Sequence, residues 1–288
     1  MKRNKLLSLA MAGALSLSLA ACGGAPTAAE SKAPASAAPA ESDVSGSDLA
    51  YVQQNGTLKI GYTLYEPMNY LDENGVLTGF ETDFATAVCE KLGVEPEFVE
   101  LTDWNAKIME IDSKRIDCIW NGMTITSDLE EALSIGDPYI KNYQVAVIRS
   151  ADADKFKTTA DLAGGSVEAE AGSAGEAAIQ ADENLSKAAY TSVPVQANAL
   201  LEVKTGKADA CVLDFVMANA MVGTGDYSDL AVIPDLQLSV EEYGVGFRKD
   251  SDITPAFNKA MKELTEDGTM AKLAEQYELS ELLLSNQK

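Results

Sequence analysis

A repeated alternation restricts this chain more than any other feature. From Thr57 onward, strand-length apolar runs and helix-length segments follow one another with short connections. "TLKIGYT" is expected to be a strand, "GFETDFATAVCEKLG" a helix that stops at Gly93, "EPEFVEL" a strand and "DWNAKIMEIDSK" a helix. "RIDCIWNG" is a near-continuous apolar strand, as expected inside a parallel sheet. "TSDLEEAL" opens the next helix, read with a capping box between Ser127 and Glu130. After "YQVAVIR" the rhythm restarts with "SVEAEAG", "SAGEAAIQADE", "AYTSV", "VQANALLEVKTG", "ADACVLDF" and "DFVMANAM", and two further helices close the chain. This pattern implies α/β architecture with parallel pairing.

The alternation contains an internal echo. "EIDSKRIDCIWNG" (110–122) lines up with "EVKTGKADACVLD" (202–214): a helix end, a basic turn, an Asp and a buried strand. Two α/β units of one kind are implied. Open α/β sheets bind ligands beyond the carboxyl ends of their strands. Gly122 and Asp214, which end the two strands, are therefore candidates to face each other across a cleft. Asp214 could also cap the helix that follows it.

Met1–Lys5 is basic, Leu6–Leu19 is apolar, and Leu19-Ala20-Ala21-Cys22 resembles a bacterial lipobox, which would place a lipid on Cys22. Residues 1–21 are thus expected to be a lipoprotein signal peptide. Residues 22–47, rich in Ala, Pro and Ser, would follow as a disordered tether. The formal charge of −23 argues against nucleic-acid binding. The chain has no histidine, which removes Ser-His-Asp and Cys-His catalysis and imidazole metal sites. No cofactor and no metal is expected. Once Cys22 is assigned to lipid, Cys89, Cys118 and Cys211 form no disulfide framework and are expected to be buried thiols.

"GTLKIGYTLYEPMNYLDENGVLTGFETDFATAVCEKLG", "TDWNAKIMEIDSKRIDCIWNGMTIT", "DPYIKNYQVAVI", "DLAGGSVEAEAGSAGEAA", "LEVKTGKADACVLDF", "EEYGVGFRKDS" and "LTEDGTMAKLAEQYEL" resemble, in order, successive blocks of the family 3 extracellular solute-binding proteins. The resemblance spans about 57–279. It implies a two-lobed periplasmic-binding-protein-like fold, each lobe a mixed, mostly parallel sheet flanked by helices, with two hinge strands near "NYQVAVI" and "YGVGFR". Lobe one would be 48–143 plus 248–288, and lobe two 144–247. The implied function is substrate binding for an ABC importer, as a monomer with ABC permease subunits as partners, at the outer face of a bacterial cell membrane. Alternatives are an enzyme on the same scaffold, similar to cyclohexadienyl dehydratase, and a sensory lipoprotein without transport.

Carried over residue by residue, the resemblance puts Tyr65 and Trp104 against the ligand as aromatic walls. It has the Gly122 carbonyl accept from a ligand ammonium, and the Thr124 N–H and hydroxyl hold a carboxylate. Asp214 would pair the α-ammonium. Ser173 and Ala174 open a helix whose first-turn N–H groups would hold a carboxylate, with Ala174 standing where the family has a threonine. Glu170 would face the ligand side chain, or else be an exposed acid at a strand end. The chain departs from the pattern at Leu129, where the family has an arginine that forks onto the carboxylate. Lys141 is the one base the sequence offers nearby. Two readings follow: an amino acid held without that arginine, or a ligand whose main handle is cationic.

Overall fold

A computed structural model describes residues 46–287, so the expected signal peptide, the lipidated Cys22 and all but the last two residues of the tether lie outside the described residues. The first half of the body contains α1 (Asp48–Asn55), β1 (Thr57–Tyr62), the hairpin β2 (Tyr70–Leu71) and β3 (Leu77–Thr78), α2 (Phe80–Leu92), β4 (Glu95–Glu100), α3 (Lys107–Asp112), β5 (Cys118–Ile119), α4 (Ser127–Ala132) and β6 (Leu133–Ile135). Strand β7 (Ile140–Arg149) leads to α5 (Thr159–Leu162), β8 (Ser166–Glu170), α6 (Ala174–Ala181), β9 (Ala189–Val193), α7 (Gln196–Lys204), β10 (Ala210–Asp214), α8 (Phe215–Met221) and β11 (Leu230–Val232). The chain then returns through β12 (Val240–Tyr243) to β13 (Gly246–Arg248), α9 (Ile253–Glu266) and α10 (Thr269–Gln276).

These elements make a two-lobed fold with one mixed sheet in each lobe. The first has the order β4-β1-β5-β13-β6, the second β11-β7-β10-β8-β9. In each, the early strands pair in parallel and a late-crossing strand runs against them: β1 is parallel to β4 and β5, β8 to β9 and β10, while β13 and β7 are antiparallel. The first half of β7 pairs with β12, from Ile140 opposite Tyr243 to Tyr143 opposite Val240; its second half pairs with β10. The two crossings are thus one two-stranded ribbon. In the first lobe, Trp120 packs edge-on against Phe84 at 4.9 Å and Phe257 at 5.2 Å, which joins the sheet to α2 and α9. Cys89, Cys118 and Cys211 are free and buried.

Two local expectations differ from the structure. The run "RIDCIWNG" forms regular strand only at Cys118–Ile119. At its ends side chains replace ladder bonds: Asp117 accepts from the Lys59 N–H at 3.0 Å, and Asn121 Oδ1 accepts from the Thr63 N–H at 3.1 Å. Helix α4 is capped by Thr126, whose backbone is extended and whose hydroxyl accepts from the Leu129 N–H at 3.3 Å. Ser127 is already helical, so the Ser127–Glu130 capping box does not form.

The sequence echo reappears as duplicated chemistry. Arg248 on β13 donates to the carbonyls of Ile111 and Ile116 and to Asp117. Arg149 on β7 donates to the carbonyls of Val203 and Ala208, with Asp209 3.7 Å away. In each lobe one guanidinium, from the antiparallel strand, ties a helix end to the start of a buried strand. Each Asp also accepts from a neighbouring backbone N–H, Lys59 for Asp117 and Ser166 for Asp209. The turns match as well, with Arg115 on Glu110 and Lys207 on Glu202.

Arg248 and Asp117 have side chains only 11% and 3% exposed, against 24% and 29% for Arg149 and Asp209. Breaking a buried pair leaves an uncompensated charge, so Arg248→Met is expected to cost about 2–4 kcal/mol and Arg149→Met less. Thermal denaturation of both variants checks this; an equal or larger loss in Arg149→Met would contradict the burial argument.

Candidate functional site

Asp214 ends β10, a strand buried at all five positions. It occupies the cap position of α8, but its side chain makes no cap bond. The carboxylate instead turns to β7, where Asn142 Nδ2 donates to Oδ1 at 2.5 Å and Gln144 Nε2 at 2.7 Å. Gln196, at the start of α7, donates to the second oxygen and accepts from the Asp214 N–H at 3.1 Å. The same two amides of β7 also donate to Glu241 Oε1, at 2.6 and 2.7 Å. Glu241 further accepts from the hydroxyls of Thr124 and Ser239. Two carboxylates therefore share one pair of donors. Burial, and then the charge of Glu241, push the Asp214 carboxyl up to about 8.

Asp214 opens onto a cavity of about 520 Å³ with walls from both lobes. The first lobe supplies Trp104, Lys107, Asn121, Thr124 and the segment 126–129; the second supplies Glu170, the turn 172–174, Gln196 and Asp214. Most of these lie at strand ends or helix starts, where open α/β sheets bind ligands. The lobes touch closely at the rim. Gly172 adopts φ +68, and a Cβ there would lie 2.6 Å from Asn105 Oδ1.

Six of the residues expected from the sequence meet at this cavity: Trp104, Thr124, Glu170, Ser173, Ala174 and Asp214. Glu170 is only 3% exposed, and its Oε1 has no hydrogen-bond partner. Burial first, and then Asp214, raise its pKa well above the ordinary value, against the lowering effect of Lys107. Ser173 caps α6 by accepting from the Glu176 N–H at 3.1 Å, and Ala174 is the first helical residue. The Thr124 hydroxyl is committed to Glu241 at 3.0 Å, so it is not the free carboxylate donor that was expected.

Tyr65 and Gly122 do not line the cavity. Gly122 takes φ +55, and a Cβ there would fall 2.5 Å from the Tyr65 ring, so glycine is needed for the ring to pack behind it. The Tyr65 hydroxyl bonds that of Tyr243 at 2.7 Å. The Gly122 N–H donates to both oxygens of Glu81, at 3.0 and 2.9 Å, and the Tyr139 hydroxyl donates to the same carboxylate. Tyr65 and Gly122 belong to a buried polar layer behind the wall. Lys141 is also away from the cavity; it lines a separate hollow with Glu241 and Glu242.

The sequence reading missed Lys107, Asn142, Gln144, Gln196 and Glu241. Signals existed for three of them. Asn142 and Gln144 are two polar residues at strand period in an apolar run, and both are fully buried. Lys107 lies three residues after Trp104 on the same face, with its ammonium 4.8 Å from the ring centre. It is 6% exposed and, among the described residues, the one basic side chain on a wall that also carries Asp128, Glu170, Glu176 and Asp214.

Residues 58–280 match the bacterial extracellular solute-binding proteins, family 3. The chain is 29% identical over 232 residues to the L-cystine-binding protein TcyJ of Escherichia coli strain K12, covering 80% of this chain and 85% of that one. It is 26% identical over 219 residues to the arginine-binding extracellular protein ArtP of Bacillus subtilis strain 168, covering 74% and 82%. Among solved structures it resembles the ancestral amino acid-binding protein AncCDT-1, a precursor of cyclohexadienyl dehydratase, with a TM-score of 0.72 and 32% identity over 80% of this chain and 99% of that one.

Burial lifts the Glu81 carboxyl to about 7, against the lowering effect of its bonds from Tyr139 and Gly122. The folded state then holds a proton that the unfolded chain releases near the ordinary carboxylate value. Stability is expected to fall as pH rises from about 4.5 to 7. Asp214 acts in the same sense up to about 8. Melting curves between pH 5 and 8 should show this fall, and Glu81→Gln should make it shallower; an unchanged slope in the variant would refute the assignment to Glu81.

Proposed function

Because the chain belongs to the bacterial extracellular solute-binding proteins, family 3, we propose that it is the amino-acid receptor of an ABC importer and that its ligand is a basic amino acid or a similar cation. The observation that carries the ligand class is the pair of buried carboxylates on one cavity wall, Asp214 and Glu170, the second with an unpartnered oxygen. A buried charge needs a partner. In this reading the α-ammonium goes to Asp214, a side-chain cation goes to Glu170, and the Trp104 ring lies alongside the chain between them. Arginine binding by ArtP and cystine binding by TcyJ support an amino-acid ligand, and the former supports a basic one.

The lobes, 48–143 plus 248–288 and 144–247, would close on the ligand by bending the β7–β12 ribbon. The protein acts as a receptor rather than as an enzyme. No histidine is available as a general base, and the main groups on the wall are suited to holding charge. It works as a monomer, held outside the cell membrane by lipid on Cys22. Labelling of cells with radioactive palmitate should mark the wild type and not Cys22→Ala; equal labelling would refute the anchor.

A calorimetric panel of amino acids tests the ligand class. Arginine or lysine is expected to bind at least about tenfold tighter than glutamate or glutamine, and the reverse order would refute it. The panel also has a proton signature. Free Asp214 holds a proton up to about pH 8, and an ammonium beside it expels that proton. Binding below pH 8 should release a proton and weaken as pH falls, by up to about tenfold per pH unit. Asp214→Asn should lose the Asp214 share of the proton release and most of the affinity, leaving only the release that a side-chain cation draws from Glu170.

A further inference from the structure

Lys107 is a buried cation with no carboxylate in contact; Glu170, then Asp103 and Glu176, act on it only at a distance. Its ammonium donates to the Gly172 carbonyl at 3.0 Å, across the cleft, and to the Trp104 carbonyl at 3.4 Å. Among the described residues no carboxylate oxygen lies within 4.0 Å of it. Two carbonyls occupy two of its three protons. The remaining donor capacity faces a cavity whose wall contains the head of α6. There the Ser173 hydroxyl satisfies the Glu176 N–H, while the N–H groups of Ala174 and Gly175 have no acceptor among the described residues. An ammonium from one lobe and, from the other, the Ala174 N–H at the head of α6 thus belong to the wall of the same cavity. Glu170, Glu176 and Asp214 supply the opposite sign on the same wall.

We propose that Lys107 holds the ligand's carboxylate, in concert with the head of α6, and so fixes the ligand as an α-amino acid rather than a simple amine. This rests on the reading of the cavity as an amino-acid site and adds a residue to it. Leu129 also lines the cavity but offers no donor from its side chain. The positive charge that a carboxylate needs therefore comes from α3 rather than from α4. The polarity of the wall becomes complete: ammonium at Asp214, carboxylate at Lys107 and α6, and a side-chain cation at Glu170. Since Lys107 also reaches the Gly172 carbonyl, a bound carboxylate would sit at the contact that joins the lobes.

The test compares each amino acid with its decarboxylated counterpart: arginine with agmatine, lysine with cadaverine and cystine with cystamine. Wild-type protein should bind at least one of these amino acids in preference to its amine. In Lys107→Met that amino acid should weaken by about tenfold or more, the scale of one lost charge-assisted hydrogen bond. The matched amine should change less than about threefold. Lys107→Arg should keep the preference, and adding Leu129→Arg to Lys107→Met should restore part of it. Circular dichroism and melting curves check that each variant is folded; if Lys107→Met does not fold, Lys107→Gln and Lys107→Arg carry the comparison. Equal weakening of amino acid and amine would make Lys107 a lobe latch, and equal strengthening would make it a counter-charge to Glu170; either overturns the proposal. Wild type that binds none of the amino acids would instead overturn the function on which the proposal rests.

Discussion

Asn142 and Gln144 donate to two carboxylates at once, and much of the molecule is arranged around that shared bond set. Asp214 comes from β10 in the second lobe, Glu241 from β12 and the amides from β7. Any slip in the pairing of these strands would leave a buried acid without donors, at a cost of several kcal/mol. The polar set therefore pins the register where the ribbon enters the sheet. It also leaves Asp214 with a raised proton affinity and an open side toward the cavity, so strand register and ligand chemistry share one cause.

The frame around this point is built twice. Arg248 and Arg149 perform the same task in the two lobes, each drawing in a helix-end carbonyl, a pre-strand carbonyl and an aspartate. Each lobe is thus closed by its own polar staple. The ribbon joining them is only two strands wide where β7 meets β12. Rigid units on a narrow link are the arrangement expected for a hinge.

Much of this was legible in the sequence. The alternation of runs gave the α/β class, and the 110–122 and 202–214 echo survives as matched salt bridges and strand contacts. That Asp214 lies at the cavity was legible because it ends a buried strand, where sheet geometry puts clefts. What sequence concealed was the layer to which a residue belongs. Tyr65 and Gly122 lie in the expected segments of the chain, but the positive φ of Gly122 admits the Tyr65 ring behind it, with the Gly122 N–H on Glu81 and the Tyr65 hydroxyl on Tyr243. Lys107 was hidden for the opposite reason: a lysine in a charged helix ordinarily points to water, and only the packing of Trp104 and the approach of Gly172 bury it. Glu241 carries no local signal because the amides that donate to it come from a strand far away in sequence.

The free thiols have a consequence of another kind. Cys89 and Cys118 lie within the first lobe and Cys211 within the second, all buried, and burial raises the Cys89 thiol to about 12. A thiol in that state is inert until the surrounding structure opens. Each lobe consequently carries its own clock: the rate at which an alkylating reagent consumes Cys118 times the opening of one half, and Cys211 times the other. The native chain can report, without any engineered label, whether its two halves breathe together or apart.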